Sequence, residues 1–145
     1  MAHHLSFDLH VLTARLDRAA DRILRAEYNV SYRRFLALTL VGELGASTQR
    51  ALADALGVTE PSVSRMTGVL AAEGLLDVQP DPGGGRRRRL SLTDKGKQLV
   101  ASVQQGLEER LAALVAHSGV PYEDYAKHTA QLLATFDQAE RERAK

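Results

Sequence analysis

The sequence predicts a mainly α-helical chain: six helices, with one two-stranded antiparallel hairpin between the fourth and the fifth. Three observations predict it. Apolar residues recur every three or four positions along most of the 145 residues. Ser/Thr starts and Gly stops punctuate that pattern at short intervals. Only the stretch from Leu75 to Leu92 changes to alternation, and it is split by the turn cluster Asp81-Pro82-Gly83-Gly84-Gly85.

The first helix spans Leu5 to about Ala26. Leu5, Leu9, Leu12, Leu16, Ala19 and Ile23 form one side, and Arg15, Arg18, Arg22 and Arg25 line the other. With Asp17 and Asp21 beside them, those arginines read as a solvated face. Ser31 caps a second helix, Tyr32–Leu44, which closes at Gly45. Ser47 or Thr48 caps a short third helix that Gly57 stops. Thr59 caps a fourth, with Pro61 in its first turn, where a missing N–H costs little, and Gly74 at its end.

The hairpin follows. In "LLDVQP", Leu76 and Val78 alternate to one face; in "RRRRLSL", Leu90 and Leu92 do the same. Thr93 then caps a long fifth helix from Asp94 to His117, with an apolar stripe of Leu99, Val103, Leu107, Leu111 and Leu114. A sixth helix starts near Pro121. Its Tyr122, Tyr125, Thr129, Leu132 and Phe136 make a narrow seam suited to another helix.

Composition removes several function classes. There is no cysteine, so disulfides, thiolate metal sites and thiol redox sensing are excluded. No apolar run reaches the roughly 18 residues of a membrane span, so no membrane partner is expected. The start of the chain has no basic segment leading into an apolar block, so a cytoplasmic protein is expected. The histidines (His3, His4, His10, His117, His128) include no pair at the i, i+4 spacing of a helical zinc site. No nucleophile–base set stands out either. No enzyme activity, cofactor or metal is therefore expected. Net charge is only +1, but half of the eight basic residues between Ala46 and Lys97 sit in the tetrapeptide Arg86–Arg89.

The informative constellation is "QRALADALGVTEPSVSRMTGVL". Two short helices meeting over a tight turn need a small residue at the crossing, which Ala53 supplies. They also need a residue tolerant of positive φ, which Gly57 supplies. Leu52, Leu56, Val58, Val63 and Met66 stand where packing between the helices requires them. Ser62, Ser64 and Arg65 remain to face a base edge. Helix, turn, helix, strand, Gly/Arg-rich tip, strand is the order of a winged helix-turn-helix. In that arrangement the second helix enters the major groove and the wing reaches backbone or minor groove. A phosphate-binding enzyme loop would need glycines leading into a helix, whereas these lead into a strand.

At these residues the chain resembles the MarR family of bacterial transcriptional regulators. The resemblance rests on "TQRALADALGVTEPSVSRMTGVLAAEGLL" and on "DPGGGRRRRLSLTDKGKQL", with its Leu-Thr-x-x-Gly opening the fifth helix. It extends over almost the whole chain. It implies a winged helix-turn-helix lobe at residues 31–95 and a helical dimerisation region, formed by an N-terminal helix (1–30) and C-terminal helices (96–145). It further implies a homodimer binding a pseudo-palindromic double-stranded DNA operator, as a repressor. The DNA-binding set is Thr48, Thr59, Pro61, Ser62, Ser64, Arg65, Arg86, Arg87, Arg88 and Arg89. The dimerisation set is Leu5, Leu9, Leu12, Tyr125, Leu132 and Phe136. Release by a small aromatic or anionic effector is a further implication, with Arg15, Tyr28 and Tyr32 near the cleft it would use.

The wing departs from the family pattern. An acid followed by arginine is usual at the tip, and here Gly84 and Gly85 stand there. Arg86 and Arg87 are then nearest the tip, and the glycines predict a loose tip that orders on DNA. Alternation puts Arg86 and Arg88 on the side of the leucines, and Arg87 and Arg89 on the more exposed side. The competing reading is a winged-helix module for protein interaction or DNA architecture without effector sensing. The basic wing favours the regulator.

Overall fold

The computed structural model describes residues 3–43, 45, 47–85 and 87–145. Six helices and two strands follow in the expected order: α1 (Leu5–Tyr28), α2 (Tyr32–Glu43), α3 (Gln49–Leu56), α4 (Glu60–Ala72), β1 (Leu76–Pro80), β2 (Arg88–Leu92), α5 (Asp94–Ser118) and α6 (Tyr122–Arg143). Two compact units divide the chain, one running through Gln104 and the other from Gln105.

In the first unit, α1 buries only its C-terminal half, through Ala20 and Leu24. Its first turns leave Leu5, Phe7, Leu9 and Leu12 exposed. Asn29 ends it with a φ of 54° and donates its N–H to Leu24 O. The corner into α2 is held by Asp21. One carboxylate oxygen accepts the Tyr32 N–H at 2.9 Å, and the other accepts Arg25 Nε at 2.8 Å. Ser31 Oγ accepts the Arg34 N–H, as an N-cap should. Part of the basic stripe on α1 is thus spent on an internal pair.

The core of this unit is continuous. Phe35, Ala37, Leu38 and Val41 of α2 lie buried, as do Leu52 and Ala53 of α3, Val63 and Leu70 of α4, and Leu76 and Leu90 of the hairpin. The strands pair antiparallel with Leu76 opposite Leu92, Val78 opposite Leu90 and Pro80 opposite Arg88. The second strand begins two residues later than the alternation predicts. Pro80 has no N–H for the ladder, so regular pairing stops at Pro80–Arg88. A further bridge appears that the alternation does not predict: Leu90 N–H donates to Ser47 O at 2.7 Å, and Thr48 pairs with Arg89.

In the second unit, Gly119 takes a φ of 84° after α5. Ser118 Oγ donates to Val115 O and accepts the Val120 N–H, which closes the turn before α6. The Tyr122 hydroxyl donates to Glu108, and that carboxylate, with partial burial, holds the phenol above its ordinary pKa. α6 buries no residue; Tyr125, Leu132, Leu133 and Phe136 are all exposed.

Asp21 gives a pH-dependent test of the α1–α2 corner. The Tyr32 amide first, and Arg25 second, hold its carboxyl below the ordinary 3.8. A carboxyl with a depressed folded pKa stabilises above its unfolded value, and that contribution is lost as pH falls through the folded one. Asp21→Ala is therefore expected to lower the Tm by a constant amount between pH 7 and pH 5. The difference from the unsubstituted protein should shrink below about pH 4, as measured by thermal unfolding across that range.

Candidate nucleic-acid interface

The interface is built from the turn between α3 and α4 and from the wing. Thr48 Oγ1 accepts the Ala51 N–H at 3.0 Å and starts α3. Gly57, at a φ of 69°, ends it. There Val58 N–H reaches Ala53 O at 3.1 Å, the bond of a left-handed helix cap. Thr59 Oγ1 then accepts the Ser62 N–H at 3.3 Å and starts α4. Both threonines of the expected DNA-binding set are thus N-caps. Each positions the helix that follows it.

Along α4, Val63, Thr67 and Leu70 face inward, with Met66 half-buried. Pro61, Ser64, Arg65 and Gly68 face outward. Ser62 is half-buried, and its Oγ accepts both the Thr59 hydroxyl at 3.1 Å and Arg65 Nη2 at 3.3 Å. Ser62 therefore steers Arg65, while Ser64 and Arg65 are exposed to solvent. Thr67 is a core residue that its polarity disguised. Its Oγ1 accepts Gln49 Nε2 at 3.0 Å and donates to Ser64 O, which ties the start of α3 to the middle of α4.

The wing tip is a hydrogen-bonded turn. Asp81 Oδ1 accepts the Gly83 N–H, Asp81 O accepts the Gly84 N–H, and Asp81 N–H donates to Arg87 O. Gly84 and Gly85 have φ of 87° and 76°, which glycine adopts without strain. Arg86 lies outside the described residues. Arg87, Arg88 and Arg89 are all exposed, so the two sides of the strand do not differ as alternation suggested. On the tip side of Leu90 the hairpin runs beyond the core, and both of its faces reach solvent there. Arg87 and Arg88 share a cavity of about 500 Å³ with Thr48, Arg50, Asp54 and Glu60. Arg50 is an addition that sequence reasoning missed, because a lone arginine in a first turn carries no pattern. Among the described residues, none of Arg50, Arg87, Arg88 and Arg89 has an ion pair.

The wing is fixed to α4 by a compact joint. Gly74, at a φ of 76°, ends the helix, and Leu75 N–H returns to Leu70 O. Thr93 Oγ1 donates to Gly74 O at 2.6 Å and accepts the Gly96 N–H at 3.0 Å, while Thr93 N–H donates to Leu75 O. Gly96 is buried against Leu75, and a Cβ there would collide with the Leu75 carbonyl oxygen. The Leu-Thr-x-x-Gly spacing is thus a packing requirement.

The residues considered for an effector are dispersed. Tyr28 lines a cavity of about 480 Å³ with Asn29, Glu73, Lys95, Gln98 and Leu99, and its hydroxyl donates to Ser102 O at 3.5 Å. Tyr32 is half-buried; burial, and secondly Asp17, hold its hydroxyl above the ordinary pKa. Arg15 is exposed, about 20 Å along α1 from Tyr28 at the helical rise. Neither Tyr32 nor Arg15 lines the cavity that holds Tyr28. Among the described residues, no group of three or more His, Asp or Glu side chains could hold a metal, and no helix is long and apolar enough to cross a membrane.

A helix-turn-helix with an attached β-hairpin defines a winged-helix protein, and comparison with known proteins agrees. The MarR family profile matches residues 28–87. An HTH-type transcriptional regulator of Mycobacterium tuberculosis is 32% identical over 136 residues, covering 93% of this chain and 94% of the relative. One of Mycobacterium leprae is 30% identical over 129 residues, covering 89% and 90%. Among solved structures, apo wild-type MarR of E. coli superposes with a TM-score of 0.78 at 19% identity, covering 93% of this chain and 98% of that one. The S. aureus MepR–DNA complex gives 0.69 at 22% identity, covering 95% and 99%. The chain belongs to the MarR family. It is a transcriptional regulator and not an enzyme.

The joint makes a sharp demand on Gly96. Gly96→Ala is expected to destabilise the fold by about 1–3 kcal/mol, because the new methyl meets fixed backbone. Urea unfolding measures this.

Proposed function

We propose that the chain is a repressor that binds a pseudo-palindromic double-stranded DNA operator as a homodimer. The observation that carries this reading is the outward face of α4, where Ser64 and Arg65 are exposed, together with the exposed Arg87, Arg88 and Arg89, which have no carboxylate partner among the described residues. Guanidinium groups left unpaired at a surface suit phosphate and guanine, which they bind in bidentate fashion. Solved relatives support the same role: MepR of S. aureus and FabT of Streptococcus pneumoniae have each been solved in complex with DNA.

In this reading Arg65 and Ser64 meet base edges, Pro61 and Ser62 shape the first turn of α4, and Thr48 and Thr59 hold both helices at the groove. Arg87, Arg88 and Arg89, with Arg86, contact backbone or minor groove, and Arg50 adds a phosphate contact. Residues 31–95 form the DNA-binding lobe, and residues 1–30 and 96–145 form the dimerisation helices. Support for the homodimer comes from Leu5 and Phe7 in α1, 65% and 68% exposed, and from Leu132 and Phe136 in α6, 66% and 63% exposed. Large apolar side chains so exposed call for a cover. A small aromatic or anionic effector would suit the cavity beside Tyr28, where Lys95 supplies a cation. Such a regulator works in the cytoplasm.

Salt dependence of DNA binding tests the reading. The logarithm of affinity for a selected duplex is expected to fall steeply with the logarithm of salt concentration. Replacing Arg88 and Arg89 together by Ala should reduce that slope by about two. A slope near zero, with the protein still a dimer by sedimentation, would instead mark a protein-interaction module.

A further inference from the structure

Gly68 has no structural reason to be glycine. It lies in the interior of α4, in a backbone conformation that any L-residue adopts, and a Cβ built on it meets no atom within 4 Å. Glycine is the least favourable helix-interior residue short of proline, because it fixes the most flexible backbone. Among the described residues, no turn, bulge or close packing offsets that cost. Its place on the helix is the second observation. It follows Ser64 by four residues and Arg65 by three, so it sits one turn further along the same outward face. The opposite face holds Val63, Thr67 and Leu70, the buried contacts. Arg65 therefore stands beside a gap, flanked on its other edge by Val69, 38% exposed.

We infer that Gly68 is a specificity-determining residue: its missing side chain lets a base-pair edge approach the α4 backbone in the major groove while Arg65 reads the neighbouring pair. A glycine allows an outside surface to come closer to a helix by the depth of a methyl group. An alanine there would hold the groove floor away and misplace the Arg65 guanidinium for bidentate contact. The inference rests on the proposed role of α4 in DNA reading and adds the position that tunes it.

The test compares the unsubstituted protein, Gly68→Ala and Arg65→Ala. Each is titrated against a duplex selected by the unsubstituted protein from a random pool, and against random-sequence duplex. Gly68→Ala is expected to raise the Tm by about 3 °C, since alanine is the better helix former. It should weaken binding to the selected duplex about tenfold or more, with random-duplex binding within about twofold. Selected-duplex binding that stays unchanged would overturn the inference, and so would equal weakening on both duplexes. Arg65→Ala separates the two levels of the account. If it lowers selected-duplex binding and Gly68→Ala does not, only the role of Gly68 falls. If neither variant has an effect, the role of α4 falls with it.

Discussion

The structure depends on a small joint between the end of α4 and the start of α5. Three backbone segments meet there: Gly74 in left-handed conformation, Leu75 at the entry to β1, and Gly96, packed so closely on the Leu75 carbonyl that it has no room for a side chain. The Thr93 hydroxyl bonds in both directions, to Gly74 O and from Gly96 N–H, so it caps α5 and anchors α4 with one oxygen. A threonine cap between two glycines turns three loosely related elements into one piece. A two-stranded hairpin is marginally stable in water by itself; this joint, with the Leu90–Ser47 hydrogen bond and the burial of Leu76 and Leu90, fixes the wing to the rest of its unit. Because of it, the wing arginines and the outward face of α4 keep a defined spacing.

Much of this was legible because its signals are local. Thr48, Thr59 and Thr93 cap helices by reaching three residues ahead, and Gly57 ends α3 by accepting a positive φ. The chemistry of such residues is complete within one turn of chain. The missed features are nonlocal. The pairing of Ser47–Thr48 with Arg89–Leu90 is a single bridge, too short to leave a period. Thr67 is polar, so only its partners Gln49 and Ser64 reveal that it belongs in the core. The exposure of Arg88 depends on where the hairpin leaves the core, which strand alternation does not encode. Tyr28 and Arg15 share a helix, yet their separation along it keeps Arg15 away from the Tyr28 cavity.

Charge is divided between two different tasks. On α1, Arg25 is held by Asp21, and that pair belongs to the corner that starts α2. Arg34 meets Glu73 at 3.6 Å. Those arginines serve the fold. At the wing and at Arg50 no carboxylate is supplied among the described residues, although Asp54 and Glu60 line the same cavity as Arg50, Arg87 and Arg88. A chain with a net charge of only +1 can carry a strongly basic edge in this way. In the proposed complex, the two acids bordering that edge would disfavour phosphate at the recess wall and direct it toward the arginines.

In the proposed complex, α4 and the wing act on DNA as one unit, repeated by two-fold symmetry. A hydroxyl-radical footprint on the selected duplex tests it most directly. Two equivalent protected tracts are expected, centred about 10 base pairs or a multiple of that apart. Each should have a flanking protection that disappears when Arg87, Arg88 and Arg89 are replaced by alanine. A single unflanked tract, or flanks that persist in that variant, would contradict the account.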